Sequence, residues 1–485
     1  MLIALGGVVA LGFAAAVIAL FVRWERQGKE QRLPLGLLGL LVVEATLYAD
    51  QNALPRGIFH PGSGATQLRL PEIYITLALI ARLIVRGRPK RIGLSAGLWL
   101  AFAAWIALSA VVGFLNQNST SQILYEAKVI VYIVGGYALA AGVPIRRYLD
   151  SGGLYRLGVL CIGCASLLDL MTIGKVTVNT NIPLLPLQAF GGIGNETAAI
   201  YLAVGTMWFL VHLASGSVRV RHVLGLIPLI AAVVLASERA VLFNMLTVVG
   251  VILLGAFFGI RRGVARRFQV GSGQIILTLL AVVAVATVVV VGPAAFNDRP
   301  PQIPLASSFQ QLFHSQGKQE SAQDRLNLAA SAEAMIPQHP IIGWGLGVEF
   351  LYYETGTRSE QQVAYAHNIV LDLWLRTGII GVLLFFAPFG LSIVEGFRVW
   401  RRHSDPETAA LALALIAVLA GLLLTAFLEP MIDEYRLATL FGLSLGMLRA
   451  TVTQTHFGPT MLVDPFGSAK GRSPAGLAAG AGIRR

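Results

Sequence analysis

The stretch AALALALIAVLAGLLLTAF, residues 409–427, decides the fold, because it is apolar throughout and carries no charged side chain. A helix needs about 20 apolar residues to cross the hydrocarbon core of a bilayer, and this run is close to that length. Backbone groups in lipid must be satisfied internally, so a spanning segment is a helix or part of a closed barrel. The run is too long and continuous for a barrel strand, so we predict a transmembrane helix.

The rest of the chain repeats this pattern. Its 485 residues are 55% hydrophobic and only 13% charged, whereas a soluble domain is about a quarter charged. The apolar runs lie at approximately residues 2–22, 33–48, 70–85, 92–115, 123–142, 157–171, 196–214, 223–236, 240–260, 274–292, 377–394, 409–427 and 437–448. The predicted fold class is therefore all-α, a polytopic transmembrane helical bundle of about 12 or 13 spans, and a soluble fold is excluded.

The net charge of +12 marks membrane topology and does not indicate a nucleic-acid surface, because the basic residues cluster between the apolar runs. With the N-terminus outside, about 26 of the 37 Lys and Arg residues fall on inner segments, as the positive-inside rule requires. We therefore predict that the C-terminus is inside. The predicted partner is the lipid bilayer, and no nucleic acid is expected to bind.

One outer segment, residues 293–376, is far longer than an ordinary loop and so is expected to be functional. We predict a largely helical loop, with one helix over Ser321–Met335 that prolines end, a turn at its glycines and a second helix from near Ala366. The predicted parts are N-terminal membrane helices (1–190), central membrane helices with an outer turn (191–292), the extracytoplasmic loop (293–376), C-terminal membrane helices (377–450) and a disordered cytosolic tail (451–485).

Three residues near the outer ends of the spans could carry chemistry. Arg239, in a tight turn between two spans, is either a paired or snorkelling arginine or an anion clamp, because a guanidinium binds phosphate bidentately. Arg325, on the loop helix, is either part of a surface ion pair or a second phosphate ligand. His367 is either a packed histidine or a general base, since its ordinary pKa lies near neutrality.

Two further residues could support such a site. Asn368 could orient His367 or bind sugar hydroxyls, and His339 is a weaker candidate that is better explained as a turn residue. The sequence has no His, Cys, Asp and Glu set at metal spacing and no phosphate-binding Gly-rich motif, so we expect neither metal nor cofactor.

Four charged residues in or near spans leave a transporter or flippase open as the alternative function. Transporters carry polar residues within spans and often show inverted repeats. Glu44, Glu126, Lys128 and Asp169 fit the first property, although pairing between helices explains them equally well, and no repeat is evident.

Three motifs resemble the O-antigen ligase and O-antigen polymerase superfamily. His367-Asn368-Ile369-Val370-Leu371 followed by Gly378-Ile379-Ile380-Gly381 is similar to the family's His-Asn pair, leucine and two glycines. The run from His339 to Gly347, with Arg325 upstream, is similar to the family's His-Pro-aliphatic-aliphatic-Gly-x-Gly turn. Ser237-Glu238-Arg239-Ala240 resembles the family's Ser-x-Arg turn. The chain departs from the family at Arg376, where family members often have an acidic residue.

The resemblance implies a membrane glycosyltransferase at the plasma (inner) membrane, with its active site on the periplasmic or extracellular side. The implied donor is a glycan on undecaprenyl diphosphate, and the acceptor is another glycan or lipid A–core, which leaves polymerase and ligase both open. Carried over by position, Arg239 and Arg325 would bind the diphosphate and His367 would be the catalytic base of a metal-independent, inverting transfer.

Overall fold

The computed structural model describes residues 2–47, 69–87, 93–177, 195–216, 220–235, 239–261, 316–428 and 434–456. Its helices are α1 (Leu2–Arg26), α2 (Arg32–Leu47), α3 (Leu70–Arg86), α4 (Leu94–Leu115), α5 (Thr120–Ala141), α6 (Ile145–Asp150), α7 (Gly153–Thr177), α8 (Asn195–Ala214), α9 (Val220–Leu224), α10 (Leu226–Leu235), α11 (Arg239–Arg261), α12 (Gln316–Met335), α13 (Ile369–Arg402), α14 (Pro406–Leu428) and α15 (Tyr435–His456). A short 3₁₀ helix and a two-stranded hairpin lie between α12 and α13. The all-α membrane bundle is confirmed.

Twelve of the thirteen predicted spans coincide with helices in the described part of the chain, and the span at 274–292 lies outside it. Six of these helices are long and apolar enough to cross a bilayer by length and composition. The predicted cytosolic tail also lies almost entirely outside the described residues.

The run that opened the sequence analysis, α14, is a central helix of the bundle. It packs against α8, α11, α13 and α15, and every residue of Ala409–Leu419 is buried. A helix that is apolar on all sides is expected either to face lipid or to be enclosed, and here other helices enclose it.

Small residues bring α5 and α15 into close contact. A Cβ at Gly442 would lie 2.2 Å from the Ile133 carbonyl oxygen, and one at Gly446 would lie 2.5 Å from that of Tyr137. Backbones that approach this closely need glycine, as is common where membrane helices pack.

The loop is folded against one end of the bundle, which we call the loop end. The helix predicted over Ser321–Met335 is present as α12, and the second predicted helix begins at Ile369, three residues after the expected start. The sequence interpretation missed the antiparallel hairpin β1 (Phe350–Glu354) and β2 (Ser359–Val363). One face of this hairpin buries Phe350 with Leu328 and Ala332 of α12 in a small separate core.

Candidate active site

His367 stands immediately before α13 at the loop end. Its ring is partly buried, and the ring of Tyr365 packs edge-on against it at 5.4 Å between centroids. The Nδ1 atom of His367 is buried and has no hydrogen-bond partner among the described residues. A buried polar atom without a partner is uncommon, and it is a property that a substrate-binding site can have.

Asn368 has a structural role that limits its predicted one. It is the N-cap of α13, and its side-chain oxygen accepts hydrogen bonds from the backbone N–H of Val370 at 2.9 Å and of Leu371 at 3.3 Å. An N-cap stabilises the first turn of a helix by satisfying its unpaired donors. The side-chain oxygen of Asn368 is therefore engaged by the helix, and a contact between its amide nitrogen and a sugar hydroxyl stays a prediction.

The structure brings Arg325 close enough to affect His367. Burial, and to a smaller extent the positive charge of Arg325, together lower the pKa of His367 from its ordinary value to about 4. Arg325 itself is exposed on α12. The imidazole is therefore neutral at physiological pH, the state in which it can accept a proton.

Arg239 begins α11 at the same end of the bundle. Asn244, one turn further along α11, packs on Gly421 near the end of α14, where an added Cβ would lie 2.1 Å from Asn244 Oδ1. Because α14 runs antiparallel to α13 after a short connection, this part of α14 lies at the loop end. The side chain of Arg239 is outside the described residues, and the roles proposed for all three residues stay predictions.

A glycine turn fixes the loop to the bundle. Gly343, Gly345 and Gly347 all have positive φ, at 73°, 87° and 75°, a region that favours glycine. A Cβ at Gly345 would lie 2.2 Å from the Gly113 nitrogen of α4. The turn predicted from these glycines is present, and its backbone is inserted against the ends of the spans.

Hydrogen bonds hold this turn from both sides. The N–H groups of Trp344 and Gly345 donate to the carbonyl oxygens of Leu375 and Arg376 at 2.8 and 3.0 Å. On the other side, the Leu346 N–H donates to the Ser109 carbonyl of α4 at 3.0 Å. The loop therefore has a defined position relative to α4 and α13.

His339 lies inside this turn and has a packing role. Its ring contacts the ring of Trp344 edge-on, at 4.2 Å between centroids. Its carbonyl oxygen accepts a hydrogen bond from the Gly343 N–H at 3.0 Å. These contacts are those of a turn residue, which is the role that the sequence analysis preferred for His339 over catalysis.

A buried charged group that the sequence analysis did not count among the site candidates lies close to the residues that precede α13. The Arg376 side chain lies 2.8 Å from Asp372 and 3.5 Å from Glu126 of α5, and all three are less than a tenth exposed. The four-residue spacing of Asp372 and Arg376 on one helix was a readable signal for their pairing. Their contact with Glu126 joins distant parts of the chain and had no local signal.

A second polar region, which we call the paired cluster, lies at the loop ends of α2, α3, α5, α8 and α15. Its members are Glu44, Arg69, Glu72, Lys128, Tyr132, Glu196, Tyr435 and Arg436. Tyr435 donates to Glu44 and Tyr132 donates to Glu72. Lys128 lies 3.6 Å from Glu72, and Arg436 donates to Glu196 at 3.2 Å.

This cluster bears on the transporter alternative. Glu44, Glu126 and Lys128 each contact a residue on another helix, as expected if these charges pair between helices. Asp169 is buried in α7. Within the described part of the chain, no group of three or more His, Cys, Asp or Glu residues could hold a metal ion.

The fold and the loop-end histidine define a polytopic membrane protein with a polar site over one end of its helical bundle. Residues 194–386 match the family described as O-antigen ligase, and all five candidate residues fall inside this segment. The match covers less than half of the chain, confirms the resemblance to the O-antigen ligase and polymerase superfamily, and supports a membrane glycosyltransferase activity of the ligase type. No curated protein matches the chain.

Proposed function

We propose that this protein transfers a glycan from undecaprenyl diphosphate to an acceptor hydroxyl at the outer face of the plasma membrane. The observation that carries the proposal is the neutral His367, with its partnerless Nδ1 and with Arg325 nearby. A neutral imidazole can take the proton of a hydroxyl, and a diphosphate bound at Arg325 would offset the positive charge that helps to keep the pKa of His367 low.

In the proposed reaction, the acceptor oxygen attacks the anomeric carbon and forms the new glycosidic bond. The bond from that carbon to the diphosphate oxygen breaks, and the proton of the hydroxyl passes to His367. Arg325 and Arg239 bind the diphosphate and stabilise the negative charge that it gains. Direct displacement inverts the anomeric centre, and the two guanidinium groups do the work that a metal ion does in nucleotide-sugar enzymes.

The acceptor decides between a ligase and a polymerase. A ligase transfers the chain to lipid A–core, and a polymerase transfers it to another lipid-linked repeat unit. Both reactions use the same donor chemistry, so the described residues favour neither.

A deletion strain, complemented with the wild-type chain, tests the proposal through its glycan profile. Accumulated lipid-linked polymer with bare core indicates a ligase, and single attached repeats without long chains indicate a polymerase. An unchanged profile, together with no transfer by purified protein given lipid-diphosphate-linked glycan and either acceptor, would refute the transferase.

A further inference from the structure

Every nitrogen of the Arg376 guanidinium is directed at a different group. Nη2 donates to the Ala364 carbonyl at 2.5 Å, Nη1 lies 2.8 Å from Asp372, and Nε lies 3.5 Å from Glu126. The side chain is buried beneath the residues that lead into α13. A planar guanidinium holds its donors at fixed angles, which a lysine ammonium cannot reproduce.

These contacts hold the segment just before His367 at two points. Arg376 holds the Ala364 carbonyl, and Asp372 Oδ1 accepts a hydrogen bond from the Ala366 N–H at 3.0 Å. His367 directly follows Ala366, the second of these two held residues. The position of its imidazole therefore depends on two side chains of α13 that lie below it.

Glu126 connects the same group to the bundle. Its Oε2 accepts a hydrogen bond from the Gly347 N–H at 2.8 Å and also faces Arg376. It thus links α5, the glycine turn and α13. A cavity between these elements is lined by Glu126, Asp372 and Arg376 together with Ala366.

We propose that Arg376, Asp372 and Glu126 are positioning residues for His367, so that a helix outside the family-matched segment takes part in the active site. The inference rests on the proposed function where it treats His367 as the base. A buried ionic group adds little net stability compared with apolar packing, because desolvation opposes the attraction between the charges. Its directed hydrogen bonds instead select one backbone conformation for Ala364–Ala366.

Chemical footprinting of His367 tests the positioning independently of catalysis. Diethyl pyrocarbonate acylates the neutral imidazole, and peptide mass spectrometry separates His367 from the other histidines. The near-isosteric variants Asp372→Asn and Glu126→Gln, together with Arg376→Met and Arg376→Lys, are compared with the wild-type chain in lipid nanodiscs over a range of pH. Arg325 and Tyr365 lie near the imidazole in all of these chains, so their influence on the titration of His367 is common to the series.

In the wild-type chain, acylation of His367 is expected to be slow and to titrate near pH 4. In Arg376→Met and Asp372→Asn the ring becomes more accessible, so the rate rises and the midpoint moves toward the ordinary 6.5. We also expect kcat to fall by about a hundredfold, as for a misplaced catalytic group, with KM for the donor little changed. Arg376→Lys should recover part of this loss.

Arg449→Met is the matched control. It removes an arginine paired with Glu395 near the opposite end of α13, so it perturbs the bundle without affecting Ala364–Ala366. The proposal is overturned if the footprint of His367 is the same in Asp372→Asn, Glu126→Gln, Arg376→Met and the wild type, or if Arg449→Met changes it equally. A changed footprint in the variants, together with no glycan transfer by the wild-type chain, would support the positioning and refute the proposed function.

Discussion

The loop end carries two polar regions that differ in how their groups are satisfied. In the paired cluster, the side chains bond to one another across five helices, as in Tyr435 with Glu44 and Arg436 with Glu196. At His367, a ring nitrogen is buried without a partner, and the neighbouring charge of Arg325 opposes protonation. In the first region these bonds run between the protein's own side chains, whereas the second suits, under the proposed function, the binding of an anion and a hydroxyl.

The largest expected effect comes from removing the base. His367→Ala should reduce glycan transfer by about a hundredfold or more, the range for loss of a general base, while the protein still inserts normally. His403→Ala, in the connection between α13 and α14 at the opposite end, is the control and should retain activity. Full transfer by His367→Ala, read from the glycan ladder on a gel, would mean that His367 is not the base. The region around His367 would then be no more catalytic than the paired cluster.

Arg239→Lys should be the next most severe change. A lysine keeps the charge but cannot bind a diphosphate bidentately, and the lost charged hydrogen bond corresponds to about a ten- to hundredfold fall in kcat/KM. Arg261→Lys, at the other end of the same helix α11, is the control. If both variants transfer glycan at the wild-type rate, Arg239 serves only as a topological anchor.

Gly345→Ala tests whether the site depends on how the loop is attached. The added Cβ would meet the backbone of Gly113 and stand at a φ of 87°, at a cost of about 2 kcal/mol or more. We expect a lower thermal midpoint and at least about tenfold weaker transfer, because the loop can no longer dock fully. Gly356→Ala, where nothing lies within 4 Å, should change neither quantity.

The pH dependence gives a smaller but more specific effect. Because the pKa of His367 is lowered to about 4, kcat should stay high as pH falls through 6.5 and drop only near pH 4. Arg325→Gln removes a charge that opposes protonation, so the acid limb should move upward, although burial, the larger cause, keeps it below 6.5. Arg358→Gln, on an exposed residue beyond β1, should leave the limb in place.

The smallest effect is expected in the paired cluster. Lys128→Met removes an ion pair with Glu72 whose lysine is about a quarter exposed, so stability should fall by at most about 1 kcal/mol. Transfer should change by less than about twofold, since no reacting group is touched. If Lys128, Glu126 and Asp169 were essential and Arg239 and His367 dispensable, the transporter alternative would replace the transferase.

Sequence reasoning succeeded where the signal was local. Long apolar runs predicted the spans, and the prolines after Met335 correctly ended α12. The hairpin was missed because the strand Phe350–Glu354 has only five residues. The alternation of its buried and exposed side chains depends on packing against α12. The contact of Gly345 with Gly113 and the contact of Arg376 with Glu126 could not be predicted from the sequence, because each joins segments that are separated by about half of the chain.

The enclosed position of α14 has a consequence for biogenesis. Ribosomes make this helix after α8 and α11, which are among the helices it packs against. Until residues 406–428 are made, the surfaces of α8 and α11 that pack on this helix do not yet have this partner. The bundle is therefore completed from its C-terminal side, and a chain truncated before Pro406 would present those earlier helices to the bilayer with their packing surfaces still exposed to acyl chains.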